Sequence, residues 1–364
     1  MKMCRAMALR GHDVTLVAEQ GAGSEGEAHA YYGTGRFQLT RITTRGTLLA
    51  GFLLWLREHI PGLRVGPLPA LLLGYERLAA LVRKSDCNLI YSREPYWLFP
   101  CAGIRPFILE LHSPPRSRLE LLLLKMLFRH PNFRRLVVIS QRLSDMYCAA
   151  IPALEGRITV AHDAADPPPP NPETRPLAGA FRIGYVGHLY EGRGLNIIKA
   201  MAEALPDIAF HLVGGQRDDI ERFQALRLPS NIILHGHQPP SQLHGYFVSF
   251  DVVLAPYQRK VAVQGGGDTS GFMSPLKIFE YMSWGKPILC SDIPVLHEIL
   301  SDGHTALLLP PDQPGAWVDA AKRLRQDSEL RDRLASQARE VFERHYSWDA
   351  RVVRTLSGIE SPSR

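Results

Sequence analysis

The sequence predicts an α/β protein built from two doubly wound domains. Three observations carry this. Short apolar runs of strand length alternate with amphipathic runs of helix length along most of the chain, the pattern of parallel sheets with helices on both faces. The run Asp166-Pro167-Pro168-Pro169-Pro170-Asn171-Pro172 fits neither a helix nor a central strand and reads as a stiff linker. A length of 364 residues is ordinary for two domains.

The chain opens in a helix, Met1–Arg10. Strands are expected at Val14–Ala18, Leu89–Tyr91, Phe107–Leu111, Leu136–Ile139 and Ile158–Val160, with helices such as Leu71–Lys84 and Gln141–Ala150 between them. After the linker the alternation is cleaner. Strands are expected at Phe181–Val186, Ala209–Val213, Ile232–His235, Asp251–Ala255, Ile288–Cys290 and Ala306–Leu309. Helices are expected at Leu195–Leu205, Asp218–Arg227, Pro240–Ser249, Gly315–Arg325 and Glu329–Tyr346. The division is 1–166, a linker over 167–175, a second domain over 176–344, and a segment over 345–364 that packs back on the first domain.

The segment from Ser270 to Ser291 is the most informative. Ser274 is a helix-capping residue type, Pro275 suits a first helical turn, and Lys277, Glu280 and Trp284 recur at helical spacing. A helix start behind a glycine-rich loop attracts anions, and a carboxylate one turn further on accepts bonds from sugar hydroxyls. Taken alone, Lys277 and Glu280 read first as an ordinary surface pair worth a few tenths of a kcal/mol, and the other segments of the chain turn the balance toward a site.

Ligands of doubly wound sheets sit at the carboxyl ends of the strands. That rule selects Arg93, His112 and the loop His162-Asp163 in the first half, and Gly187–Gly194 with Gly214 in the second. Arg193 stands between two glycines of the first such loop, a cation placed as a diphosphate requires.

Composition narrows the partners. The chain is 45% hydrophobic and 21% charged, with a net charge of +6. Residues 1–170 hold 21 basic and 14 acidic side chains, so the positive excess lies in the first half. Two apolar-basic stretches there, Thr47–Arg64 and Leu119–Arg135, fit either core helices with basic edges or an anionic membrane surface. Basic residues without interleaved aromatic platforms argue against nucleic acid. Five scattered cysteines form no CxxC pair, which points to free thiols and no zinc site. No apolar run reaches the length of a membrane-spanning helix.

The ordered segments resemble family 4 of the retaining glycosyltransferases, which have the GT-B fold. They are Tyr185-Val186-Gly187-His188 with Arg193-Gly194, Leu212-Val213-Gly214-Gly215, Val252–Tyr257, Ser274–Met282, Gly285-Lys286-Pro287, Leu307–Pro311 and Tyr346-Ser347-Trp348. Arg10–Thr15, Glu110-Leu111-His112 and Val138-Ile139-Ser140 match in the first half.

The resemblance implies two Rossmann-like domains facing one cleft and a metal-independent, retaining transfer from a nucleotide-diphosphate sugar, with no cofactor. The acceptor is a glycan or lipid-linked molecule of cell-surface polysaccharide synthesis. The protein is placed in the cytoplasm, peripheral on the inner face of the membrane. Glu280 takes the ribose hydroxyls. Arg193, Lys277 and the backbone around Ser274 take the diphosphate, His237 lies near the base, and Arg93 and His112 serve the acceptor side.

Two departures qualify it. Phe272 stands where the family usually has a glutamate, and His188 replaces an arginine. The family's first strand and its glycine-rich loop do not precede Met1–Arg10, which implies a start further upstream. A catalytically silent nucleotide-sugar-binding subunit is the main alternative, and a sugar-nucleotide epimerase of the same fold comes third.

Overall fold

The computed structural model describes residues 1–19, 24–35, 37–42, 77–262 and 267–359. The stretch Thr47–Arg64, the start of the expected helix Leu71–Lys84 and the first two residues of the loop Gly265–Gly271 upstream of Ser274 lie outside them. The chain divides into two compact units. One comprises Met1–Val138, Leu143–Ala161 and Val352–Arg364, the other Ile139–Arg142 and His162–Arg351. Residues 167–175 go with the second unit, and the expected tail 345–364 is divided at Val352.

In the first unit, helix Lys2–Leu9 precedes β1 (Thr15–Glu19), which pairs in parallel with β2 (Gln38–Ile42). The strands β3 (Ile90–Ser92), β4 (Phe107–Leu111), β5 (Phe133–Val138) and β6 (Ile158–Val160) form a separate four-stranded parallel sheet in that order. Among the described residues β1 and β3 do not pair, although Val17 and Ile90 border the same apolar cluster around Leu78, Val82 and Cys101. The β4 sequence FILEL is buried at every position, as a strand covered on both faces must be. The stretch Leu119–Arg135 divides into helix Arg118–Arg129 and strand β5. A helix unmarked in the sequence reading, Trp348–Leu356, sends Leu356 and Ile359 onto Ile108, Val137 and Ala161. The Arg135 guanidinium donates to the carbonyls of Thr355 and Ser357 at 3.2 and 2.8 Å.

The second unit has six parallel strands: β7 (Arg182–Val186), β8 (Ala209–Val213), β9 (Ile232–Gly236), β10 (Val252–Ala255), β11 (Ile288–Ser291) and β12 (Leu307–Leu309). Their order is β12-β11-β10-β7-β8-β9. The succession therefore reverses between β7 and β10, and this switch point is where such sheets bind ligands. Alternation within β7 feeds both faces. Ile183 and Tyr185 pack with helices Leu195–Ala204 and Pro314–Gln326, whereas Val186 joins helices Leu243–Ser249, Leu276–Ser283 and Ser328–His345. Lys286 lies just past the second of these, where its ammonium donates to the carbonyls of Val248 and Phe250. It therefore has a structural task.

Candidate functional site

In the second unit the loops after β7, β8 and β10 converge, and glycine makes this geometrically feasible. Gly187 has φ +145° and Gly214 φ +121°, and a Cβ on Gly214 would stand 2.1 Å from the Gly187 carbonyl. Gly194 opens helix Leu195–Ala204 at φ +75°, and a side chain there would overlap the Pro256 carbonyl. Only glycine adopts such angles cheaply at so close an approach. Across the switch point, the Val186 N–H donates to the Tyr281 hydroxyl at 2.9 Å. That hydroxyl donates in turn to the Leu254 carbonyl at 3.1 Å. Tyr281 thus ties the end of β7 to β10.

Two cations come together on this floor. The Lys277 ammonium sits 3.8 Å from the ring centre of Tyr185 and 5.3 Å from that of Tyr257. The Arg193 guanidinium lies 5.5 Å from the same Tyr257 ring, and its Nε is buried with no hydrogen-bond partner. Burial, then the Arg193 charge, push the Lys277 pKa well below the ordinary lysine value, against a smaller opposite pull from Glu280. Burial and the same two cations lower His188. Two charges held together this way carry a cost that a bound anion would relieve. Gly187 belongs to the same patch, since a Cβ there would lie 2.8 Å from the Lys277 ammonium.

Glu280 follows one turn along the helix Leu276–Ser283, partly buried. His237 is exposed beyond β9. It lines a hollow of about 410 Å³ with Gly215, Gln216 and Ile220, at the ends of β8 and β9. The cap expected of Ser274 is corrected. The helix begins after Pro275 with no side-chain cap, and the Ser274 hydroxyl instead accepts the Asp163 N–H at 2.8 Å. Ser274 is buried, with its hydroxyl turned to that contact and not to the helix start.

The first unit holds a separate network at the ends of β3 and β4. Glu110 is buried on β4, and Tyr91 donates its hydroxyl to one carboxylate oxygen. Arg93 Nη2 donates to His112 Nδ1 at 3.0 Å. Arginine only donates, so Nδ1 accepts and the ring proton sits on Nε2. It is given to Glu110 Oε1 at 2.5 Å. Both ring nitrogens of His112 are occupied, so the ring as held is no free base. Arg93 and His112 were selected by their position at strand ends. Glu110 was not, because a carboxylate inside an apolar strand run leaves no separate pattern.

His162, also at a strand end, pairs with Glu298 at 2.9 Å. Glu298 further accepts the N–H groups of Gln141 and Arg142. Burial alone would raise its carboxyl, but the His162 bond and the two N–H bonds outweigh it and hold the pKa low. His211 and His235 hydrogen-bond at 2.9 Å. Burial, followed by the His211 and Arg175 charges, lowers His235 to about 4, so this pair is a neutral element of the sheet. Among the described residues no group of three or more His, Cys, Asp or Glu is placed to hold a metal, and no helix is long and apolar enough to cross a membrane.

Fold and strand order define a GT-B protein. Residues 1–167 match the family model of Glycosyltransferase Family 4, and residues 180–327 match that of Glycosyl transferases group 1. The chain is thus a GT4-type glycosyltransferase by family. It is 27% identical over 181 residues to a phosphatidyl-myo-inositol mannosyltransferase of Mycobacterium leprae, covering 47% of this chain and 45% of that one. It is 24% identical over 181 residues to a D-inositol 3-phosphate glycosyltransferase of Corynebacterium urealyticum, covering 46% and 40%. The chain therefore spans under half the length of these curated relatives. The crystal structure of Anabaena Alr3699/HepE with UDP and glucose superposes with a TM-score of 0.68 at 16% identity, covering 98% of this chain and 96% of that one.

Proposed function

We propose that the protein transfers a sugar from a nucleotide-diphosphate donor to a glycan or lipid-linked acceptor, with retention of anomeric configuration and without a metal. The observation that carries this reading is the Arg193–Lys277 pair at the switch point, two cations held over tyrosine rings with a guanidinium Nε left unpartnered. Negative charge grows on the departing diphosphate, and fixed cations in a water-poor site stabilise it. They supply the stabilisation a metal would otherwise give. Glu280 is suited to accept the ribose hydroxyls, and His237 borders the hollow suited to the base. UDP in the HepE crystals supports a uridine donor as the first to try.

On the acceptor side, His112, held at both ring nitrogens by Glu110 and Arg93, orients rather than deprotonates. The acceptor's proton passes to the leaving phosphate. The setting is the cytoplasm, at the inner face of the membrane, in cell-surface polysaccharide synthesis. A donor-panel assay with determination of the product anomer tests the reading, and an inverted product overturns it. A second reading, a silent nucleotide-sugar-binding subunit, is favoured by Phe272, which puts a ring where a sugar-binding carboxylate was expected. Donor binding with neither transfer nor hydrolysis would select it.

A further inference from the structure

Helix Arg118–Arg129 is apolar on two opposite sides. Leu124, Leu127 and Phe128 are buried in the first unit, and Phe128 packs on Phe133 of β5. On the other side Leu119, Leu122 and Met126 are 66%, 57% and 58% exposed. Their spacing of three and four residues sets them in one stripe. Arg116, Arg118 and Arg129, all exposed, border it, and Lys125 lies partly exposed beside them. The only acidic side chain of the helix, Glu120, is engaged at its start, where it accepts the Arg116 N–H at 2.7 Å.

An exposed apolar stripe with a cationic margin matches one kind of partner chemically. We infer that this face docks on an anionic bilayer surface, the three apolar side chains entering the headgroup layer and the arginines pairing with lipid phosphates. Charge decides against a second copy of the chain. A two-fold contact across the stripe would set the arginine margins of both copies against each other, whereas an anionic surface neutralises them. The first 170 residues carry 21 basic against 14 acidic side chains, so the wider field has the same sign.

The inference gives the membrane setting proposed above a definite surface. The helix starts at the end of the sheet where His112 lies: Ser117 caps it, accepting the Glu120 N–H at 3.1 Å, and Tyr147 holds the intervening loop through the Ser113 carbonyl at 2.8 Å. A lipid-linked acceptor in that bilayer would thus meet the first unit beside His112.

The test is co-sedimentation of the full chain with vesicles of phosphatidylcholine alone or mixed with phosphatidylglycerol, without nucleotide sugar. Binding is expected to the mixed vesicles and not to the neutral ones. Replacing Arg116, Arg118 and Arg129 by serine should lower the partition coefficient about a hundredfold. Replacing Leu119, Leu122 and Met126 by serine should lower it at least about tenfold, with the melting midpoint held within a degree or two. Three results overturn the inference: equal sedimentation of wild type and variants, a large fall in midpoint on replacing the apolar three, or a wild-type dimer that those replacements dissociate while vesicles stay unbound. None of these depends on donor binding, so this inference and the transferase reading fail separately.

Discussion

Replacing Lys277 by methionine should raise stability and weaken donor binding together. The ammonium lies 3.8 Å from the Tyr185 ring centre, a contact that returns about 0.5–2 kcal/mol. Against it stands the removal of a cation from water beside a second cation, which costs several kcal/mol. Methionine spans the same space and packs on the same rings. The ligand-free protein should gain about 1–2 kcal/mol, a rise of about 2–8 °C in melting midpoint for a unit of this size. Loss of one charge-assisted bond to phosphate should weaken UDP binding by about 10- to 150-fold. The pH dependence has a definite sign. The Lys277 pKa is lowered in the folded protein, so between that value and 10.5 the unfolded chain holds a proton that the folded chain has released. Wild-type stability then rises with pH across that window, and the advantage of methionine shrinks. Thermal melts from pH 6 to 10, with and without UDP, read all three effects. A lower midpoint without ligand, or an unchanged UDP shift, would refute the argument.

Glu280→Ala should leave the melting midpoint of the free protein nearly unchanged and weaken UDP by about tenfold or more, through loss of the ribose contacts; titration calorimetry checks this. Glu110→Gln turns one of the two buried acceptor oxygens that take Tyr91 and His112 into a donor, and should cost about 1–3 kcal/mol in a denaturant melt and lower the turnover number more than donor affinity. Glu298→Gln should cost about 1–3 kcal/mol at pH 7. Because its folded pKa is depressed, that difference is fully present above about pH 5 and closes as acid protonates the wild-type carboxylate; paired melts at pH 7 and pH 3.5 measure it.

Where local pattern determines structure, the sequence was readable. The β4 and β6 bounds and the β8 bounds were legible from apolar runs flanked by turn residues, and the switch-point loops followed from their place after strands. Strand β2 was missed because Gln38–Ile42 sets its two apolar residues, Leu39 and Ile42, three apart, so no period-two alternation marks it. Helix Trp348–Leu356 was missed because its packing partners, Ile108 and Val137, lie more than 200 residues away. The cap expected of Ser274 failed for a related reason. A Ser-Pro pair before a helix is a local signal, and the Asp163 N–H that takes the hydroxyl is a tertiary one. Glu110 shows the same limit from the opposite side, for its value lies in Tyr91 and His112 around it and not in its neighbours along the chain.

The placement of Leu356 and Ile359 on the first sheet has a consequence for synthesis. Ribosomes deliver the strands β3–β6 long before those two side chains exist. Until then Ile108, Val137 and Ala161 lack part of their cover and the Arg135 guanidinium lacks its carbonyl partners. The unit that is translated first is therefore completed last, after the six-stranded unit has already been made. Its exposed strand faces during that interval are the ones a chaperone would shield.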